Sequence, residues 1–172
     1  MATPDLMFEH VFDEKTKRHY VNGHLSVLHC HHYTSLYTQL ALDAQKTDLL
    51  AASSEEAFYH VLVGYFDRHR IESIEERIET ACQYYAAVGL GKMRVRYLGN
   101  DSGEVELLSS HVDGGWIKKW GVYDEPVNYI GVGYITAMFA AVLDEPQTTF
   151  QANEVQSIVM GAETSIFKVV RR

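Results

Sequence analysis

The spacing of apolar residues predicts three helices in the first half of the chain. Apolar side chains recur at helical spacing over residues 33–45, over a segment that begins after the polar run at 53–56, and again from Ser73. A serine followed three positions later by Glu76 is a capping-box pattern, which favours a helix start at this serine. Gly89 is a natural stop for the third helix, because glycine readily adopts the left-handed conformation found at helix ends.

In the second half of the chain, apolar and polar positions alternate, as they do in half-buried strands. Residues 92–98 and 103–112 flank the turn sequence Gly-Asn-Asp-Ser-Gly and predict a hairpin. An irregular aromatic stretch at 113–126 follows, and a fourth helix is predicted at about 128–143. The final segment, 148–170, predicts strands that are broken near a glycine.

The N-terminal segment predicts a β-hairpin, because Asn22-Gly23 is a strong tight-turn signal between two extended arms. A short β segment, three helices, a hairpin, one helix and terminal strands indicate an α+β fold, with helices packed on a small antiparallel sheet. We expect a single domain over residues 1–172, with an N-terminal β arm at about 1–20 and the main domain at about 20–170.

Composition narrows the possible partners and the compartment. The 172 residues are 47% hydrophobic, which is enough for one core, and their net charge of −8 argues against nucleic-acid binding. The longest apolar run, at 129–143, is too short to span a bilayer, and the first residues lack the apolar region of a signal peptide. We therefore expect a cytoplasmic protein without a membrane span, in which Cys30 and Cys82 are free thiols.

The last third of the chain carries a spaced motif. A helix with Gly133-Tyr134 precedes a strand and then a hairpin, in which Glu154, Gly161 and Phe167 fit the spacing Glu-x-x-Cys-x3-Gly-x3-Cys-x-Phe. This pattern resembles the 4-vinyl reductase domain family, also called the hydrocarbon-binding domain family. The order of elements over residues 20–170 agrees with that resemblance.

The resemblance implies a fold shared with haem-NO-binding domains and vesicle-tethering complex subunits, with an apolar cavity that holds hydrophobic or aromatic small molecules. In sensor relatives it also implies a zinc ion, bound by the Glu-Cys-Cys hairpin and one upstream cysteine. Here both cysteine positions are serines, Ser157 and Ser165, and no cysteine follows Cys82. Because a serine hydroxyl is a poor zinc ligand beside a thiolate, we expect no zinc at this hairpin.

Aromatic residues are concentrated between positions 116 and 139, where the resemblance implies that the ligand cavity is closed. Aromatic side chains with a few polar groups typically line such pockets. The predicted ligand-binding residues are Trp116, Trp120, Tyr123, Tyr134 and Phe139, with His111, near the end of a predicted strand, as the polar contact. The alternative, that these aromatic side chains only fill the core between helix and sheet, remains open.

A second candidate site is the segment 24–32, which contains four of the nine histidines and one of the two cysteines. The candidate metal ligands are His29, Cys30 and His32. A single segment presents two good ligands on one face, so zinc would need another contribution, for example from His10 or His19. The alternatives are a haem or catalytic role for the same cluster, or a strand-to-helix junction without any chemistry.

Three functions follow from these observations. The first is a stand-alone sensor or carrier domain that binds a hydrophobic or aromatic small molecule, lacks the zinc hairpin and requires no cofactor. The second is a metal-binding or haem-binding protein or an enzyme that uses the cluster at 24–32, and the third is a dimeric scaffold. The sequence contains no nicotinamide or flavin fingerprint, so we expect binding and leave catalysis open. We also expect a homodimer and a separate effector protein.

Overall fold

The computed structural model describes residues 6–27 and 30–172. In chain order its elements are β1 (His10–Asp13), β2 (Arg18–Val21), β3 (His24–Ser26), α1 (His31–Asp43), α2 (Thr47–His69), α3 (Ile74–Ala87), β4 (Gly91–Leu98), β5 (Ser102–Ser110), α4 (His111–Trp120), α5 (Tyr129–Val142), β6 (Phe150–Gln156) and β7 (Ser165–Arg171). Short 3-10 turns at Gln147–Thr149 and Ile158–Met160 flank β6. The strands form two antiparallel sheets, ordered β1-β2-β3 and β4-β5-β7-β6, which confirms the predicted α+β class.

The N-terminal sheet is anchored to α2 through its predicted tight turn. Asn22 and Gly23 both have positive φ, at 48° and 83°, as the Asn-Gly signal predicts. The guanidinium of Arg68 donates a 2.8 Å hydrogen bond to the carbonyl oxygen of Asn22, and the hydroxyl of Tyr65 accepts one from the amide of Met7 at 2.9 Å. These bonds fix the short sheet against the helical layer.

The four-stranded sheet buries one face under the helices. Along β5, Val105 and Leu107 are fully buried, while Glu104 and Glu106 point to the other face and pair with Arg96. This alternation is the period-two pattern of a strand, with apolar side chains under the helices and, on the other face, a buried Glu106 held by Arg94 and Arg96. The hairpin predicted at 92–98 and 103–112 corresponds to β4 and β5, which pair antiparallel.

Helix α5 is the centre of the core, because eleven of its fourteen residues are buried. It packs along α2 at Gly133, where a Cβ atom would overlap the carbonyl oxygen of Ala51, so the two backbones touch. The hydroxyl of Tyr134 donates a 2.6 Å hydrogen bond to the carbonyl oxygen of Ala81, which ties α5 to α3. None of the helices in the described residues is both long and apolar enough to cross a membrane.

The sequence prediction for the start of α2 is wrong. The helix begins at Thr47 and contains the polar run at 53–56. Ser54 and Glu55 are buried, and the Ser54 hydroxyl donates a 2.8 Å hydrogen bond to the carbonyl oxygen of Ile130. Two adjacent polar residues predicted a helix start, but Ser54 faces the backbone of α5 beside Gly133, and Glu55 pairs with Arg172.

The irregular stretch predicted at 113–126 is also wrong in its first part. Strand β5 ends at Ser110, and α4 runs directly from His111 to Trp120. The hydroxyl of Ser110 caps this helix by accepting a 3.1 Å hydrogen bond from the amide of Asp113. The sequence concealed the helix because it contains a Gly-Gly pair, and the second of these, Gly115, is needed for close packing against α1.

The other three helices agree with the sequence, and α1 spans His31–Asp43 where the pattern predicts 33–45. Ser73 is the N-cap of α3, with its hydroxyl accepting a 3.2 Å hydrogen bond from the amide of Glu76. Gly89 follows the end of α3 with φ of 83°, as expected for a helix stop. Helix α5 lies within one residue of the predicted bounds at each end.

Candidate functional site

The predicted aromatic residues divide between two hydrophobic clusters. Trp116 lies between Trp120 and Tyr123, with ring centroids 4.5 and 5.2 Å away. It also packs with the buried Val127 and Val159 in a small cluster beside α4. The indole N–H of Trp116 is buried and has no hydrogen-bond partner, so this cluster holds an unused polar group.

Tyr134 and Phe139 belong to the main core instead. Both are fully buried. The Tyr134 ring packs edge-on against Tyr85 with centroids 4.7 Å apart, and Phe139 packs against Phe150 at 5.9 Å. These two side chains fill the space between helix and sheet, and a ligand-binding role for them remains a prediction.

His111 was expected near the end of a strand, and it directly follows β5, which ends at Ser110. It is the first residue of α4, because the Ser110 cap starts the helix there. Its ring lies edge-on to that of His31, with centroids 6.3 Å apart, where α4 meets the start of α1. The imidazole is therefore placed beside another histidine and not on the wall of the main core.

The histidine and cysteine cluster is partly described. The thiol of Cys30 lies 3.5 Å from Nδ1 of His32, and His29 is outside the described residues. His10 and His19 bind each other, with a 2.8 Å distance between their ring nitrogens on the N-terminal sheet. Within residues 6–27 and 30–172, no three histidine, cysteine or acidic side chains are arranged to hold a metal ion.

A buried polar cluster lies where the last strands meet α4 and α5. Each member comes from a different place in the fold. Its members are Ser110 at the end of β5, Asp113 in α4, Asn128 at the N-cap of α5, Glu154 in β6, Ser157 after β6 and Ser165 in β7. Sequence analysis singled out three of them through the motif, and it missed Ser110, Asp113 and Asn128.

Asp113 is the centre of this cluster. Its side chain is fully buried, and one carboxylate oxygen accepts a 3.2 Å hydrogen bond from the hydroxyl of Ser157. The other oxygen accepts a 3.3 Å bond from the amide of Asn128, whose own oxygen caps α5 by accepting from the amide of Gly131 at 2.9 Å. One carboxylate thus joins α4, the start of α5 and the C-terminal hairpin. The Ser-x-x-Asp spacing at 110–113, a capping pattern, is the signal that could have revealed it.

Glu154 is the least satisfied member of the cluster. Both of its carboxylate oxygens are buried, and neither accepts a hydrogen bond from the described residues. Burial raises the pKa of this carboxyl to about 7, and the nearby charge of Asp113 adds to the rise, while the hydroxyls of Ser165 and Ser157 oppose it. Burial also raises the pKa of Asp113. Two carboxyls in one buried site therefore favour retention of a proton near neutral pH.

The donor atoms in this cluster do not fit the zinc site that the family resemblance implies. The Ser157 oxygen already accepts from the amide of Val159 at 3.3 Å and donates to Asp113. The Ser165 oxygen accepts from the amide of Ile158 at 2.9 Å. The hydroxyls are used in hydrogen bonds within the hairpin, and they offer oxygen where zinc sites of this type use thiolate.

A pocket opens next to the cluster, between the start of α5 and strand β6. Its volume is about 290 Å³. Its lining includes Tyr129, Val132 and Ala152 as apolar residues and Glu125, Asn128 and Glu154 as polar ones. Asn128 and the carboxylate of Glu154 are buried, so they mark the inner side of the pocket. Among its described lining residues there are two acidic side chains and no basic one.

No known protein family and no curated protein sequence matches this chain. Solved structures do match in fold. The phenol-responsive sensory domain of the transcription activator PoxR, determined with phenol, is similar with a TM-score of 0.78 and 14% identity, over 94% of this chain and 84% of that one.

Two further structures share the fold. A vinyl-4-reductase family protein from Methanocaldococcus jannaschii has a TM-score of 0.58 and 17% identity, over 86% of this chain and 84% of that one. A trafficking protein particle complex subunit 3 from Naegleria fowleri, covalently bound to palmitic acid, has a TM-score of 0.55 and 13% identity, over 81% of this chain and 90% of that one. At these identities the likeness establishes a common fold, which confirms the fold relationships predicted from the motif.

Proposed function

We propose that this protein is a sensor or carrier domain that binds a small aromatic or otherwise apolar molecule. The observation that carries the proposal is the common fold with a phenol-responsive sensory domain over 94% of the chain. Fold alone does not specify a ligand, so the proposal also needs a site with suitable chemistry. The pocket between α5 and β6 offers such a site.

The pocket suits a ligand with one ring and one polar substituent. Its volume of about 290 Å³ is at the small end of ligand pockets, which typically begin at roughly 300 Å³. Tyr129, Val132 and Ala152 offer an apolar wall for a ring. Asn128 and Glu154 lie on the inner side, where a hydroxyl or amine of the ligand could find a hydrogen-bond partner.

The residues predicted from the sequence offer a second location for the same ligand. Trp116 has a buried indole N–H without an acceptor, and Trp120 beside it is 42% exposed. A ligand oxygen that reached this nitrogen would satisfy it, with Trp120 and Tyr123 contacting the ring. Under this alternative the ligand enters between α4 and the 3-10 turn that follows β6.

Binding can be tested with the purified full chain and a panel of phenol, cresols, aniline and a short prenol. We expect saturable binding by calorimetry for at least one compound. Tyr129→Ala should weaken it roughly fivefold, since a ring contact of this kind is worth about 1 kcal/mol. Tyr97→Ala is the matched control, because Tyr97 is 57% exposed on β4 and does not line the pocket.

The outcomes separate the two locations. If Trp116→Phe weakens binding and Tyr129→Ala does not, the aromatic cluster beside α4 is the site. If no compound binds to folded wild-type protein, the binding function is wrong. Metal analysis of the same sample tests the alternative at 24–32, where stoichiometric zinc or haem would favour a metal-binding or haem-binding protein.

We further propose that the protein acts in the cytoplasm as a homodimer and reports to a separate effector protein. To pass on a signal, a bound small molecule has to change a surface that another molecule contacts. The second copy or the effector protein would contact that surface. Cell fractionation and co-purification with and without ligand would test the compartment and the effector. The dimeric scaffold remains an alternative that requires the dimer but no ligand.

A further inference from the structure

Glu154 differs from the other glutamates whose carboxylates are buried. Glu55 is 7% exposed, and the guanidinium of Arg172 lies 3.4 Å from its carboxylate. Glu106 is 4% exposed, and the guanidinium of Arg96 lies 2.9 Å from its carboxylate. The carboxylate oxygens of Glu154 are buried as well, yet among the described residues no lysine or arginine forms an ion pair with this side chain. Because a buried carboxylate without a cation is costly, a positive charge beside Glu154 would stabilise it.

This unpaired carboxylate belongs to the wall of the pocket between α5 and β6. Glu154 lines the pocket together with the exposed Glu125 and with Tyr129. Burial raises the pKa of the Tyr129 hydroxyl, and the negative charges of Glu125 and Glu154 add to the rise. The two carboxylates therefore act on the same space. The buried carboxyl of Asp113 next to Glu154 adds a third acidic group, so the pocket attracts positive charge.

The rest of the wall is largely apolar. Pro126, Val132 and Ala152 contribute aliphatic surface, and the face of an aromatic ring such as that of Tyr129 attracts a cation. A metal ion needs several ligand atoms around it, and the described part of the chain holds no group of three histidine, cysteine or acidic side chains arranged for one. The wall therefore suits an organic cation better than a metal ion.

We propose that this pocket selects ligands that carry a protonated amine on a small apolar body, such as an arylalkylamine. Glu125 and Glu154 stabilise the ammonium group, and Glu154 acts from within the wall, where the low polarity strengthens its attraction. The aliphatic side chains contact the apolar part of the ligand. A neutral ligand gains only the apolar contacts, and a carboxylic acid is repelled. This inference rests on the proposed function, because it specifies the ligand class of the same pocket.

Three compounds of similar shape and different charge test the inference: benzylamine, benzyl alcohol and benzoate. Each is titrated into the full chain by calorimetry at pH 8. Burial raises the pKa of Glu154 to about 7, so its carboxyl is mostly ionised at this pH, and benzylamine is still protonated. We expect benzylamine to bind roughly tenfold more tightly than benzyl alcohol, and benzoate to bind most weakly.

Glu154→Gln removes the negative charge and keeps the size of the side chain. It should weaken the binding of benzylamine roughly tenfold and leave the affinity for benzyl alcohol within about twofold. Glu163→Gln is the matched control, because it removes the same charge from an exposed position of the same hairpin that does not line the pocket. Circular dichroism establishes that both variants fold. If Glu154→Gln does not fold, Glu125→Gln at an exposed residue replaces it, with a roughly threefold loss for benzylamine alone.

Equal affinities for benzylamine and benzyl alcohol would overturn the inference. It is also overturned if Glu154→Gln weakens both compounds equally or keeps the full preference for the amine, or if Glu163→Gln causes the same loss. Binding of phenol or a cresol without any binding of benzylamine would overturn it and leave the proposed function intact. If neither these compounds nor the panel above bind to the folded protein, the proposed function is wrong as well.

Discussion

The hydroxyl of Ser157 donates a 3.2 Å hydrogen bond to the buried carboxylate of Asp113. The two residues are 44 positions apart, and their contact joins the turn after β6 to the first turn of α4. Ser157 stands at a position where the motif that this sequence resembles has a cysteine. In this chain the serine at that position links the C-terminal hairpin to α4 through a hydrogen bond to an acidic side chain.

Asp113→Ala should therefore destabilise the fold strongly. It leaves the hydroxyl of Ser157 buried without its acceptor and leaves the amide of Asn128 with only its bond to Ser110, which costs about 2–4 kcal/mol of the free energy of unfolding. Asp113→Asn keeps one oxygen and should cost less. Urea denaturation measures both values.

The matched control is Asp101→Ala, which removes an exposed ion pair to Arg171 and should cost less than about 1 kcal/mol. If Asp113→Ala is no more destabilising than this control, Asp113 does not hold the three segments together.

Glu154 should make the stability depend on pH. Its pKa is raised from 4.5 to about 7 in the folded protein, so between these values the folded state holds a proton that the unfolded state has released. Stability should therefore fall as pH rises from 4.5 to 7 and then level off, by roughly 3 kcal/mol in total. Glu154→Gln should remove this loss, so that the variant is more stable than the wild type at pH 8.

Chemical denaturation at several pH values provides the measurement, and Glu163→Gln, at an exposed glutamate of the same hairpin, is the control. A wild type and Glu154→Gln whose stabilities run parallel between pH 4.5 and 8 would show that this carboxyl ionises normally.

Removal of metal ions should leave the C-terminal hairpin unchanged. Ser157 and Ser165 are engaged in hydrogen bonds and offer no thiolate, so treatment with a chelator should not shift the melting temperature. Elemental analysis should find less than one zinc ion per chain. If stoichiometric metal is present, we expect that changing His29 and His32 together to alanine removes it, and metal retained by that variant would contradict the expectation.

Local pattern was sufficient to predict much of the fold. The apolar run of α5, the Ser73 cap and the Asn22-Gly23 turn each act through neighbouring residues, and all three agree with the structure. The start of α2 could not be predicted in this way. Ser54 bonds to Ile130, 76 positions away, and no local signal carries that contact.

The candidate site shows the same limit. The motif drew attention to Glu154 and Ser157, because their spacing is local. It could not reveal that Asp113 and Asn128 lie beside them, since the segments meet only when the sheet and α5 are assembled. Tyr134 was grouped with Trp116 on proximity in sequence, yet α5 directs Tyr134 into the main core while Trp116 belongs to the smaller cluster beside α4.

Gly133→Ala should destabilise the core. A Cβ atom at this position overlaps the carbonyl oxygen of Ala51 and lies 2.8 Å from the amide nitrogen of Glu55, so α2 and α5 must separate. Such overpacking costs about 1–3 kcal/mol or more, and thermal unfolding would show a clear loss. Gly64→Ala in α2 is the control, because its Cβ meets nothing within 4 Å and alanine should stabilise that helix by about 1 kcal/mol. Opposite signs for the two variants would establish that the contact of α5 with α2 requires glycine, whereas equal gains would show that the helices have room to spare.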